Sequence, residues 1–238
     1  NPSTRIIDLS NEFRLEERVS LGKRTFVYGL PELQKERIAA AENIANPGCF
    51  ATAIQLALLP LAKQGLLTDK VHIHALTGST GAGAGLSETS HFSWRNNNVS
   101  WYKPFTHQHL GEIYQHLNQL QNASTDLQFL PLRGNFARGI FATAYTSFGG
   151  NLEDAQKHYR EYYRDAPFTQ ITEEPPNLKQ VVNTNAAHIH LHLHEGVLLI
   201  TSVIDNLLKG ASGQAVQNMN LMFGLPETTG LHLKAIGF

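Results

Sequence analysis

Apolar and polar positions change period several times along the chain, and each change marks an element. Residues 5–9 form a short apolar run that predicts a strand. A charged loop follows. Residues 31–41 have a helical pattern, with Pro31 at the favoured first-turn position. Residues 42–46 predict a short strand. From Ala51 to about Gln64 the chain is almost wholly apolar and predicts a buried helix that stops at Gly65. Residues 71–76 alternate as a strand does and run into Thr77-Gly78-Ser79-Thr80-Gly81-Ala82-Gly83-Ala84-Gly85. Such a glycine content suits close approach of backbone to a ligand, and equally a flexible surface loop.

Residues 87–101 are polar and irregular, with a turn at 96–98. A helix is predicted over 110–120, strands over 127–132 and 139–148, and a charged amphipathic helix over 152–163. Residues 188–194 and 197–203 alternate on either side of Glu195-Gly196, which is a hairpin signal. Asp205 is placed to cap a last helix running to about Met222. No repeat is present. After Cys49, strands and helices mix without strict alternation, which points to an α+β arrangement there.

Composition narrows the function. With 42% hydrophobic and 16% charged residues and a net charge of −1, this is an ordinary globular chain. That balance gives no general attraction to nucleic acid or to an anionic membrane. No apolar run reaches spanning length. A single cysteine and a first segment unlike a signal peptide lead to an expected cytoplasmic location. A strand so near the first residue, with no initiator Met, leads to the expectation that the chain starts partway through a fold.

The single cysteine, Cys49, follows Asn46-Pro47-Gly48 and opens the apolar helix. Unpaired N–H groups and the helix dipole at such a position favour a thiolate, the nucleophilic form of cysteine. A catalytic thiol needs an acid/base partner. His107 and His109 stand just before a predicted helix, with Glu112 in reach, although the pair alone fits a helix cap equally well. His188, His190, His192 and His194 share one face of a strand, which suits either a metal site or the polar side of a half-exposed strand. Arg133 and Arg138 flank a turn and could bind carboxylate or phosphate. Asp205-Asn206 opens a helix rich in small residues that a ligand could approach.

The order of these segments resembles the N-acetyl-γ-glutamyl-phosphate reductases of arginine biosynthesis. The resemblance rests on Ile7-Asp8-Leu9-Ser10 with Phe13-Arg14, Tyr28-Gly29-Leu30-Pro31-Glu32, Asn46-Pro47-Gly48-Cys49 and Gly78-Ser79-Thr80-Gly81-Ala82-Gly83. It continues through His107-Gln108-His109 with Glu112-Ile113, Arg138-Gly139-Ile140 and the run from Asp205 to Ala211. It implies a glyceraldehyde-phosphate-dehydrogenase-like plan: an α/β remnant of a Rossmann domain plus an α+β catalytic and dimerisation domain. The implied divisions are 1–49 for the C-terminal part of the NADP-binding domain, 50–204 for the catalytic and dimerisation domain, and 205–238 for a C-terminal helix returning to the cofactor domain. The implied reaction is NADPH-dependent reduction of an acyl phosphate to a semialdehyde through a Cys49 thioester, in a homo-oligomer that needs no metal. Cys49 becomes the nucleophile, with His109 or His107 as acid/base. Gly78, Thr80, Gly81, Ala82 and Asn206 become cofactor contacts, and Glu112, Arg133 and Arg138 substrate contacts.

The chain departs from the family pattern in three ways. No Gly-x-x-Gly-x-x-Gly segment precedes Arg5, so roughly the first third of a family member is expected to be missing, and NADP binding by this chain alone to be poor. Gly111 replaces a common proline. Arg133 stands where many members have histidine, which suggests an N-succinyl substrate with an extra carboxylate in place of N-acetyl. The competing readings are aspartate-semialdehyde dehydrogenase, a metal-binding protein using the histidine row, and a non-catalytic oligomerisation fragment.

Overall fold

A computed structural model describes residues 3–236. Its first part is a small parallel sheet of β1 (Ile6–Asp8), β4 (Val27–Tyr28) and β5 (Asn43–Ala45), with β5 in the middle. Between β1 and β4 lies a tight hairpin, β2 (Ser20–Leu21) and β3 (Arg24–Thr25), which turns at Gly22 with φ +61°. Helix α1 (Pro31–Ala39) connects β4 to β5.

Chain flow then enters α2 (Cys49–Lys63), whose residues from Phe50 to Ala62 are all buried. An apolar sequence with no polar face demands such a central position. Pro60, inside this helix, cannot donate to the Leu56 carbonyl four residues back. The Tyr163 hydroxyl donates to that carbonyl instead, at 2.6 Å, so the buried acceptor is satisfied from a neighbouring helix. Gly65 closes the helix at φ +67°, as its position after the apolar run predicts.

A seven-stranded mixed sheet covers α2. In chain order its strands are β6 (Val71–Thr77), β7 (Ser100–Trp101), β8 (Leu127–Arg133), β9 (Ile140–Ser147), β10 (Thr169–Ile171), β11 (Ala187–His194) and β12 (Val197–Ile204). Their spatial order is β10-β11-β12-β9-β6-β8-β7. Helices α4 (His109–Gln121) and α5 (Leu152–Tyr162) pack with α2, and all of this core lies on one face of the sheet. The other face carries the alternate residues. One cross-strand row on it reads His192, Leu199, Tyr145, His72 and Gln128. No helix of the described residues is long and apolar enough to cross a membrane.

Two regions differ from the sequence reading. Residues 87–101, expected to be irregular, contain the short helix α3 (Phe92–Arg95) and the edge strand β7. Arg95 organises that segment, because its guanidinium donates to the Gly134 carbonyl at 2.8 Å. The last helix also begins differently. Asp205 accepts N–H bonds from Leu207 and Leu208 as a cap should, but the chain first makes a π-helical turn (Leu208–Ser212) and only then α6 (Gly213–Met222). Leu221 and Met222 of α6 join Ile38 and Ile44 in a second small core beside β5.

Candidate active site

Cys49 opens α2 at the bottom of a cavity of about 620 Å³ between the small sheet, the large sheet and the π-turn. Gly48 is the residue before the helix, with extended backbone and no side chain to cap the first N–H groups. The Phe50 and Cys49 amides are directed at the cysteine sulfur. Two close approaches frame the thiol. A Cβ on Gly48 would lie 2.3 Å from Nε2 of His109, and a Cβ on Gly210 would lie 2.8 Å from Cβ of Cys49. Only glycine leaves room for the imidazole on one side and the π-turn on the other.

The histidine pair is brought to the same wall. Nδ1 of His107 accepts the His109 backbone N–H at 3.2 Å, so His107 serves the helix start and keeps its own proton on Nε2 when neutral. Its ring is held edge-on by Phe50, Tyr102 and Phe129. His109 is buried, and its Nδ1 has no hydrogen-bond partner. Burial pushes the pKa of each down to about 3. His109 and Lys103 add to the shift at His107, and Arg14 and Lys103 at His109. Both rings are therefore neutral at pH 7.

The thiol itself corrects the sequence reading. Helix-terminus amides do favour the thiolate, but burial dominates and raises the Cys49 pKa to about 11, with the Glu112 carboxylate adding to the rise and Arg14 opposing it. The same cavity wall thus carries a thiol that burial holds protonated and two neutral imidazoles.

Glu112 and Arg138, expected as substrate contacts, do not line the cavity. Glu112 lies behind its wall. One carboxylate oxygen accepts from the Gly48 amide at 3.0 Å and the Tyr28 hydroxyl at 2.8 Å, and the other accepts from Arg14 at 3.1 Å. Gln55 donates to the same Tyr28 oxygen at 2.8 Å. This buried set fastens the Asn-Pro-Gly turn to α4. Arg138 is committed to Asp205 by an ion pair of 2.8 Å.

The glycine segment folds as a turn bound to residues 136–139. Thr80 bonds the Ala137 carbonyl through both its amide and its hydroxyl. Asn206, also a cavity residue, accepts from the Gly139 amide at 2.6 Å and donates to the Thr80 hydroxyl at 3.0 Å. A Cβ on Gly78 would meet the Ala137 carbonyl at 2.5 Å, whereas Gly83 and Gly85 face open space. Gly78, Thr80, Gly81, Ala82 and Asn206 thus line one side of the cavity, with backbone rather than bulk presented to it.

Arg133 does face the cavity and lies over the Tyr102 ring, 3.9 Å from its centroid. Arg14, Arg95 and Lys103 also line it, and no aspartate or glutamate does among the described residues. These three cations were not singled out as substrate contacts from the sequence. Arg14 belonged to a matched motif, but nothing in the linear pattern connects it with Cys49. The histidine row remains far from this chemistry. His190 Nδ1 bonds the Thr172 carbonyl at 3.1 Å, and the described residues hold no group of three candidate metal ligands.

Comparison with known proteins gives the fold and the family. Residues 49–206 match the family model described as semialdehyde dehydrogenase, dimerisation domain. Solved structures of the same fold include aspartate semialdehyde dehydrogenase II from Vibrio cholerae (TM-score 0.69, 15% identity, 92% of this chain and 72% of that one) and a probable aspartate-semialdehyde dehydrogenase from Pseudomonas aeruginosa (TM-score 0.65, 13% identity, 93% and 73%). Fold and family model together place the chain in the semialdehyde dehydrogenase class. Its sequence is far nearer to another branch. It is 62% identical to the N-acetyl-gamma-glutamyl-phosphate reductase of Christiangramia forsetii over 98% of this chain and 71% of the relative, and 61% identical to that of Flavobacterium johnsoniae over 99% and 73%. The chain belongs to the N-acetyl-gamma-glutamyl-phosphate reductase family, which is a family of oxidoreductases, and the aspartate-specific enzymes share its fold only.

Proposed function

We propose that this chain carries the catalytic part of an enzyme that reduces N-acetyl-L-glutamyl 5-phosphate to the 5-semialdehyde, through a thioester on Cys49, in arginine biosynthesis. The observation that carries the reading is the neutral His109 ring lodged over Gly48, the residue before Cys49, in the cavity that both side chains line. His109 takes the thiol proton as the sulfur attacks the acyl carbon, with the substrate phosphate's negative charge in the cavity favouring the imidazolium that forms. The sulfur–carbon bond forms, the bond from that carbon to the phosphate oxygen breaks, and phosphate leaves with the electron pair. Free amides at the start of α2 can receive the developing oxyanion. In the second half of the cycle the hydride-reduced adduct collapses, the carbon–sulfur bond breaks to release the aldehyde, and the His109 imidazolium returns its proton to the departing sulfur.

A nicotinamide cofactor, NADPH in this reading, supplies the hydride that converts the thioester to the aldehyde level. The turn from Gly78 to Gly83, with Asn206 and Leu207, offers an open, backbone-lined wall that fits the ring end of such a group. No glycine-rich phosphate turn follows β1, β4 or β5 among the described residues, so the wall they offer fits only the ring end of such a group. In this reading residues 1–49 belong to the cofactor domain, 50–204 form the catalytic and dimerisation domain, and 205–238 return to the first.

With Arg14 held by Glu112, the remaining cavity cations, Arg95, Lys103 and Arg133, suit a substrate with two or more negative charges. Arg133 is free of protein carboxylates and faces the cavity, which favours a second reading in which the acyl group is N-succinyl. Rates on the two acyl phosphates decide this, and a strong preference for N-acetyl rejects the second. The dimerisation-domain match supports a homo-oligomer. The activity is tested by reductant-dependent semialdehyde formation in the full-length enzyme and its Cys49→Ser variant. Turnover near wild type in the variant contradicts the assignment.

A further inference from the structure

Lys209 is fully buried, as is the side chain of Glu32, and neither faces the cavity. Nζ of Lys209 lies 2.6 Å from Oε1 of Glu32 and 2.9 Å from Oε1 of Gln217. Thr169 of β10 donates to the same Glu32 oxygen at 3.2 Å, and Gln217 continues to Asn185 and Glu227. One ion pair therefore joins α1 of the small domain, the edge of the large sheet, α6 and the π-turn.

A pair like this is an expensive way to hold a fold together. Buried charges give up hydration, and apolar residues of the same volume often stabilise as well or better. What a charge pair does provide is a fixed distance. Lys209 lies in the π-turn immediately before Gly210, the residue packed on Cys49. The turn's other ties are local or to the nearby Asn-Pro-Gly turn: Gly210 donates to the Asp205 carbonyl, Leu208 to the Asp205 carboxylate and the Ser212 hydroxyl to the Leu207 carbonyl, while the Ala211 carbonyl accepts from Asn46 at 3.1 Å. π-turns inside helices recur at functional sites.

We infer that the Lys209–Glu32 pair is a positioning element for Cys49: it sets how deeply the π-turn presses Gly210 onto the nucleophile, and so fixes the sulfur's direction and its access to solvent. This inference rests on the Cys49 reading above. Lys209 touches neither substrate nor cofactor wall, so its effect runs through Gly210.

The test uses two variants of the full-length enzyme. Lys209→Met with Glu32→Gln removes both charges together, which avoids leaving one buried and unpaired. Glu32→Asp keeps the charges and withdraws the carboxylate by one methylene. Because Cys49 is the only cysteine of the chain, iodoacetamide labelling of its peptide, followed by mass spectrometry, reads the thiol without needing turnover. In both variants kcat should fall by about 10²-fold, the scale expected for a misplacement of an ångström, with KM changed far less. Cys49 alkylation should also become several-fold faster at a given pH, since Gly210 no longer covers it. Glu32→Asp with wild-type kcat and wild-type labelling overturns the inference. So does a folded double variant with both unchanged. If the wild type shows no reductase activity, the functional reading fails on that result, while the labelling still decides whether the pair controls the thiol.

Discussion

Gly48 and His109 are pressed together so closely that a methyl group on Gly48 would lie 2.3 Å from Nε2 of the imidazole. The residue before the nucleophile thus also sets where the base lies. Gly48→Ala should leave α2 in place, because its backbone φ of −71° suits any residue. It should displace His109 and lower kcat by ~10²-fold, the scale expected when a catalytic group is moved from its working position. Steady-state kinetics with a thermal melt as folding control checks it.

The resting thiol is predicted to be protonated. Alkylation of Cys49 should keep rising as pH increases through 8 and 9 toward the value of about 11 set by burial, rather than levelling off near neutrality. A plateau below pH 7 shows instead a stable thiolate at rest.

Acid should destabilise the domain through its neutral histidines. In the fold, His107 and His109 have pKa values near 3 and His116 near 4, against 6.5 for the ordinary side chain, in each case chiefly from burial. Above pH 6.5 both folded and unfolded chains hold these rings neutral. As pH falls from 6.5 toward 3, only the unfolded chain takes up the protons, so stability is lost across that window. Urea midpoints at pH 7.5 and 5 measure the loss, and His116→Asn should reduce it.

Glu112 accepts from Gly48, Tyr28 and Arg14 at once. Glu112→Ala leaves Arg14 buried without its counter-charge and should cost about 3–5 kcal/mol of stability. Chemical denaturation measures this. A loss under about 1 kcal/mol would show that the set contributes little.

Much of the fold is legible in the sequence because its signals are local. The unbroken apolar run of α2, the alternation in β11 and β12, and the stop at Gly65 need no knowledge of distant residues. Cys49, the glycine turn and the histidine pair were legible as candidates, since each is a short segment of unusual composition. What the sequence hides is long-range and electrostatic. Glu112 meets Gly48 across 64 positions and Arg14 across 98, so local spacing suggests a substrate contact where the fold makes a buried fastening. The helix N-terminus draws attention to Cys49, but the sequence does not show the burial that pushes its pKa up against the amides at the helix start. The π-turn escapes because its i−5 bonding has no residue signature.

The central claim is that the Cys49 sulfur forms a bond to the acyl group before any reduction takes place. Mixing enzyme and acyl phosphate without a reducing cofactor, then quenching within milliseconds, tests it directly. The account predicts a burst approaching one phosphate per chain and an acyl mass on the peptide containing Cys49, both absent in Cys49→Ser. Phosphate release without an acylated Cys49 peptide, or an equal burst from the serine variant, contradicts it.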